Sequence, residues 1–161
     1  MQIKRKHWWL LGLVAVATAA LAAHPHYLRA PSAQLGSPKV IVNWAEVGLG
    51  NTGSGVTYIA SATAGAKFQC VKTGHVCPKP GAKEEVLQDV HVSGTFSVDK
   101  NGKISDTLVI PAPRSTLVCP HYQHVVIASV VFTNITLTDV TNGVSSPANP
   151  SALSYNGPEC P

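Results

Sequence analysis

The residues in this chain best equipped for chemistry are histidines, and two short stretches carry most of them: "ALAAHPHY" at 20–27 and "CPHYQH" at 119–124. If the chain were cut after Ala23, His24 would become the first residue, and its free amine and ring could grip a metal together. With a second imidazole from His26, His91, His121 or His124, that is a copper brace, a nitrogen set suited to Cu(II). Ala20 and Ala22 favour a cut one residue earlier, which leaves Ala23 in front and removes the brace. The simpler N-terminal copper site, built through intervening amide nitrogens, fails because Pro25 has no N–H to give up. His121 and His124 could offer two imidazoles from one turn, but they lack a third ligand nearby and read first as a polar surface loop.

Acid–base chemistry is poorly provided for. The carboxylates are Glu46, Glu84, Glu85, Asp89, Asp99, Asp106, Asp139 and Glu159, most of them on turns or polar strand positions. Glu84 and Glu85 are adjacent, so on a strand they point to opposite faces and cannot flank one bond. No G-x-S-x-G elbow is present, and "GNTGSG" lacks the lysine and helix of a phosphate loop. Trp44, Tyr58 and Tyr122 could stack against a sugar ring, but core packing is the stronger reading for Trp44 and Tyr58. The "NIT" at Asn134 fits the glycosylation sequon, which acts only in a eukaryotic secretory route.

The chain opens with Lys4, Arg5 and Lys6, followed by an uncharged run from Trp8 to Ala23 that ends in small residues. That is the arrangement of a secretory leader, and the run falls short of the ~20 residues of a membrane-spanning helix. An uncleaved N-terminal anchor is the alternative. Three of the 12 Lys and Arg lie in the leader against none of the 8 Asp and Glu, so the formal charge of +4 drops to +1 beyond residue 23. The remaining charges are scattered singly, without the clustered basic face that nucleic acid requires. Four cysteines in an exported chain, Cys70, Cys77, Cys119 and Cys160, read as two disulfides with three possible pairings. Their spacing lacks the C-x2-C knuckle of a zinc site.

From Val56 to Cys70 the even positions are apolar (Val56, Tyr58, Ala60, Ala62, Ala64, Ala66, Phe68) and the odd ones almost all polar. This period of two makes a half-buried antiparallel strand. "VLQDVHVSGTFSV" and "KISDTLVI" repeat the pattern on either side of "DKNGK", and Asn101 and Gly102 suit a tight hairpin that would pair the two strands directly. "HVVIASVVFTNITLTDV" is apolar on both faces over Val125 to Val131, as a central strand requires. "KVIVNWAEV" and "SALSYN" bring the named strands to six, and the expected count is about seven. With no helical period and connectors rich in Gly and Pro, the expected fold is an all-β antiparallel sandwich of immunoglobulin-like type. Residues 1–23 are the expected leader, 24–38 a flexible segment and 39–161 the sandwich domain.

"GVTYIASATAGAKFQC" and "LVCPHYQHVVIASVVFTNITLTDVTNGV" together resemble a group of small secreted, uncharacterised bacterial and fungal proteins with immunoglobulin-like sandwiches. Phe68, Cys70, Cys119, Pro120, Gln123, Thr138, Asp139, Thr141, Asn142 and Gly143 carry the likeness. Where that group often has glycine in the Cys-Pro turn, this chain has His121, Tyr122 and His124. The resemblance implies that Cys70 pairs with Cys119 and Cys77 with Cys160, a small Cys70 to Cys77 loop being the competing arrangement. It implies no activity. The resulting expectation is a secreted or extracytoplasmic, non-catalytic module without cofactor, whose loops contact an extracellular protein or glycan, and not nucleic acid or membrane. The rival expectation is a small copper protein or oxidase built on His24, with His121 and His124 as further candidate ligands.

Overall fold

The computed structural model describes residues 24–50, 53, 55–78 and 81–161, so the expected leader lies outside it. Its nine strands are β1 (His26–Tyr27), β2 (Ser32–Leu35), β3 (Val40–Val47), β4 (Val56–Lys72), β5 (Lys83–Phe96), β6 (Ile104–Ile110), β7 (Gln123–Asp139), β8 (Val144–Pro147) and β9 (Leu153–Asn156). They form two antiparallel sheets. In the first, β3 is central, with β6 on one side and β1 and β2 in tandem along the other. In the second the order is β5, β4, β7, and β8 and β9 lie in tandem on the far edge of β7. The fold is all-β with two disulfides, and no helix among the described residues is long and apolar enough to cross a membrane.

Alternation decides which side chains enter the core. On β4 every even residue from Val56 to Cys70 is buried, and on β3 the same face is formed by Val40, Val42, Trp44 and Glu46. The two faces meet in one apolar cluster that includes Tyr58, Phe132, Ile135 and Leu137. Trp44 packs on Tyr58 at 4.8 Å between ring centroids and edge-on to Phe96 at 5.1 Å. The buried alanines at 60, 62, 64 and 66 keep the inner face of β4 low, which leaves room for larger side chains in the space between the sheets.

Two expectations need correction. Residues 24–38 are not a loose segment: β1 and β2 pair along the open edge of β3, His26 against Val47 and Ser32 against Asn43. β3 carries an unpaired row of amides and carbonyls on that side, and the preceding chain is what satisfies them. Nor do β5 and β6 form a hairpin. β5 belongs to the second sheet and β6 to the first, so the link between them crosses from sheet to sheet. Its turn is tight, with the Asp99 carboxylate accepting from the amides of Asn101 (2.8 Å) and Lys103 (2.9 Å). Local sequence specifies a turn here, but whether its two strands pair or part depends on where the apolar faces find partners.

β7 is where the simple period breaks. Between the pairs Ser61–Thr136 and Thr63–Thr133 it holds one residue more than β4, and Asn134 takes a left-handed backbone (φ 54°). This bulge switches the buried set from even positions (Ala128, Val130, Phe132) to odd ones (Ile135, Leu137, Asp139).

At 17 residues β4 is about twice as long as β3 at 8, so the second sheet extends past the first. The segment 111–120 crosses beneath this overhang. Glu84 holds it, accepting from the hydroxyls of Ser115 and Thr116 and from the amides of Thr116 (3.1 Å) and Leu117 (3.2 Å). Those donors hold the Glu84 carboxyl below the usual carboxylate range. The C-terminal tail is fastened separately: buried Gln69 accepts from the Cys160 amide (2.9 Å) and donates to the Pro158 carbonyl (2.7 Å). Cys70 joins Cys119 and Cys77 joins Cys160, with Cα separations of 5.6 and 5.5 Å. One bridge therefore secures the crossing segment and the other the tail.

Candidate functional site

Two groups of residues stand out, one at each end of the long sheet. The first lies between the sheets, near the start of β4. Glu46 and Asp139 are both fully buried there, with Tyr58, Trp44 and Tyr27 around them. Asp139 is well provided with donors: its Oδ1 accepts from the amides of Thr141 (2.8 Å) and Asn142 (2.9 Å), and its Oδ2 from the Asn142 side chain (2.6 Å). The residues of "TDVTNG" thus form a turn organised by one buried carboxylate. Glu46 has no such help. Among the described residues, neither of its oxygens, nor the Tyr58 hydroxyl, nor the Trp44 Nε1 has a hydrogen-bond partner of acceptable geometry. Burial pushes the Glu46 carboxyl up to about 7, the charge of Asp139 adding to the rise while Tyr58 and His26 oppose it. Burial likewise pushes the Tyr58 and Tyr27 hydroxyls up, with the Glu46 charge adding to both.

Such a carboxyl is about half protonated at neutral pH and fully protonated only below it, because burial away from water disfavours its charged form. The arrangement can store and release a proton. Both carboxylates are fully shielded from solvent between the two sheets.

The second group surrounds the Cys70–Cys119 bridge. β4 and β7 end here in register, with Cys70 opposite Val125, Val71 opposite His124 and Lys72 opposite Gln123. Past Lys72 the chain turns back so that the Lys72 amide donates to the Val76 carbonyl (2.9 Å), with Gly74 and His75 both at positive φ. The Cys-Pro turn is closed by the Gln123 amide on the Pro120 carbonyl (3.1 Å), and Tyr122 takes φ 65°. These two turns display Tyr122 at 92% exposure and Val76 at 56%, and beside them Val118, before Cys119, is 86% exposed and Val125, on β7, is also exposed. Their histidines are exposed as well: the His124 ring lies 6.3 Å from that of His75, and the His121 ring 6.0 Å from that of Tyr122.

The residues singled out from sequence disperse over the molecule. His24 is exposed at the Glu46 end, where Gly48 packs on its carbonyl, and His26 Nδ1 lies 2.8 Å from that same oxygen. From Tyr58 at this end to Val71 beside His124 is about 43 Å of extended strand at ~3.3 Å per residue. The set of His24 with His121 and His124 is therefore not brought together. His91 is exposed on β5 opposite Ser61, on the outer face of the long sheet. Trp44 and Tyr58 are 5% and 0% exposed, so with Tyr122 at the other end the three form no stacking platform. Glu84 and Glu85 do diverge, Glu85 lying 3.6 Å from Lys67 while Glu84 holds the crossing segment. Asn134 is exposed on its bulge.

Sequence reasoning missed two participants. Glu46 could have been found, since it continues the apolar face of Val40, Val42 and Trp44. His75 could not, because its approach to His124 depends on how two distant turns meet.

The chain matches no protein-family model, no curated protein and no solved structure among known proteins.

Proposed function

We propose that the protein is exported by its N-terminal leader, adopts an immunoglobulin-like sandwich outside the cell, and acts there as a non-catalytic binding module. Its contact surface is the end of the long sheet around Cys70–Cys119. The observation that carries this reading is the exposure of Val76 and Tyr122 on two turns, with Val118 before the second turn and Val125 on β7 after it, all beside the two disulfides. A side chain such as Tyr122 anchors an interface at low entropic cost, and loops on a rigid scaffold are the usual place for one. Two disulfides suit an oxidising compartment, consistent with export. Valines around the tyrosine favour a protein surface over a glycan.

The test has two parts. Intact mass of the expressed protein should show the leader removed and no free thiol. A tag-free chain should then capture a partner from the extracellular fraction by chemical crosslinking. The Val118→Ser/Tyr122→Ser variant should lose that partner and Leu87→Ser, on the outer face of the same sheet, should keep it. Equal capture by both variants, capture by none, or a reduced protein retained in the cytoplasm would overturn the reading.

A further inference from the structure

We propose that His75 and His124 form a two-imidazole clamp for a divalent late transition metal, held most tightly as Cu(II). An imidazole nitrogen sits ~2.0–2.1 Å from a bound Zn(II), which places the ring centre about 3.2 Å from the ion; two rings sharing one ion then have centroids about 5–6 Å apart. The His75 and His124 centroids are 6.3 Å apart, with the rings at 78°. A side-chain rotation of about 1 Å closes the difference, and both residues are exposed and free to make it.

The backbone beneath them is held in place. His124 is fixed by its pairing with Val71 on β4. His75 sits in the turn closed between Lys72 and Val76, two residues from the Cys77–Cys160 bridge. A pair of ligands carried on such elements loses little freedom when a metal arrives. Among the described residues neither ring is engaged in a hydrogen bond to protein, so no existing interaction must be broken first.

The donor chemistry selects the metal. All four cysteines are in disulfides, which removes the thiolates that would draw Cu(I) or build a closed zinc site. Neutral imidazole suits Cu(II) and Zn(II), and the order of divalent affinities places Cu(II) first. Among the described residues no three His, Cys, Asp or Glu converge, so the clamp supplies two ligands and leaves the other positions to water or to a group on a partner. Metal binding shares the surface proposed above for a partner but does not require one, so its titration succeeds or fails apart from the crosslinking experiment.

The experiment is titration of tag-free, oxidised protein with Cu(II), followed by calorimetry and by electron paramagnetic resonance for nitrogen coupling. Wild type should bind one equivalent with coupling from two imidazole nitrogens. His75→Ala and His124→Ala should each weaken binding at least ~10-fold, the lower end of what even outer partners of a metal contribute. The double variant His24→Ala/His26→Ala should bind as wild type does. These are exposed residues, and disulfide mapping confirms that each variant is folded. Loss of binding in the His24 variant would assign the metal to the N-terminus and overturn the proposal. So would loss in His121→Ala with His75→Ala unaffected, or the absence of saturable binding by wild type.

Discussion

The buried Glu46 carboxyl leads to the most quantitative expectation. In the folded chain it titrates at about 7 instead of its ordinary 4.5, chiefly because water cannot reach it. The folded state therefore keeps a proton that the unfolded state gives up between those two pH values. Where the native state binds more protons, stability falls as pH rises. Stability contributed by the protonated group is full below about 4.5, declines through the window and is lost above about 7. At ~1.4 kcal/mol per pH unit the loss is about 3 kcal/mol, a large part of the 5–15 kcal/mol that holds a typical domain together. Urea denaturation of wild type and Glu46→Gln across pH 4.5 to 8 measures it. The amide cannot ionise, so the variant keeps only the pH dependence common to both proteins. The difference in unfolding free energy between wild type and variant should move by about 3 kcal/mol across the window, in favour of the variant at high pH. A difference that stays constant with pH, or that moves the other way, would show that Glu46 has donors or solvent in the folded state and would refute the reasoning.

Three other perturbations probe the remaining architecture. Gly48→Ala places a Cβ 2.1 Å from the His24 carbonyl oxygen at a φ of +76°, so β1 must shift; a cost of about 1–3 kcal/mol is expected, read as a lower Tm. Replacing Cys77 and Cys160 by serine opens a loop with a sequence separation of 83 and should cost about 2–5 kcal/mol. Limited proteolysis should then release the C-terminal tail before the sandwich is cut. Glu84→Ala removes the acceptor that holds the Thr116 amide, so hydrogen exchange there should accelerate, more than at Leu117, whose amide also donates to Ser115 Oγ (2.9 Å), while exchange on β4 stays slow. In wild type the same loosening should appear as pH falls through the lowered Glu84 value, because protonation removes the charge that the donors favour.

Much of this fold could be read from residue order because strand burial follows a period of two. The even positions of β4 were legible one by one, and so was the long apolar strand that became β7. Glu46 was legible by the same rule, yet a charged residue at the end of an apolar face invites a surface assignment. Asp139 was not, since counting by twos from Phe132 sends it to the outer face. Only the extra residue at Asn134 brings it into the core, and that bulge depends on the register against β4. The pairing of β1 and β2 with β3 was hidden for another reason: short polar strands with three prolines nearby take their structure from the edge they cover.

Composition and local pattern settled what depends on neighbours along the chain: the all-β class, the longer strands, the alternating buried face of β4 and the turn at Asn101–Gly102. Those properties follow from backbone geometry, which every residue carries with it. Tertiary structure alone decided which sheet each strand joined, that His24 and His124 lie far apart, that His75 meets His124, and that Glu46 is sealed without a donor. Each of these rests on contacts between residues distant in sequence, set by how the two apolar faces close on one another and by where the disulfides fasten the segments between them.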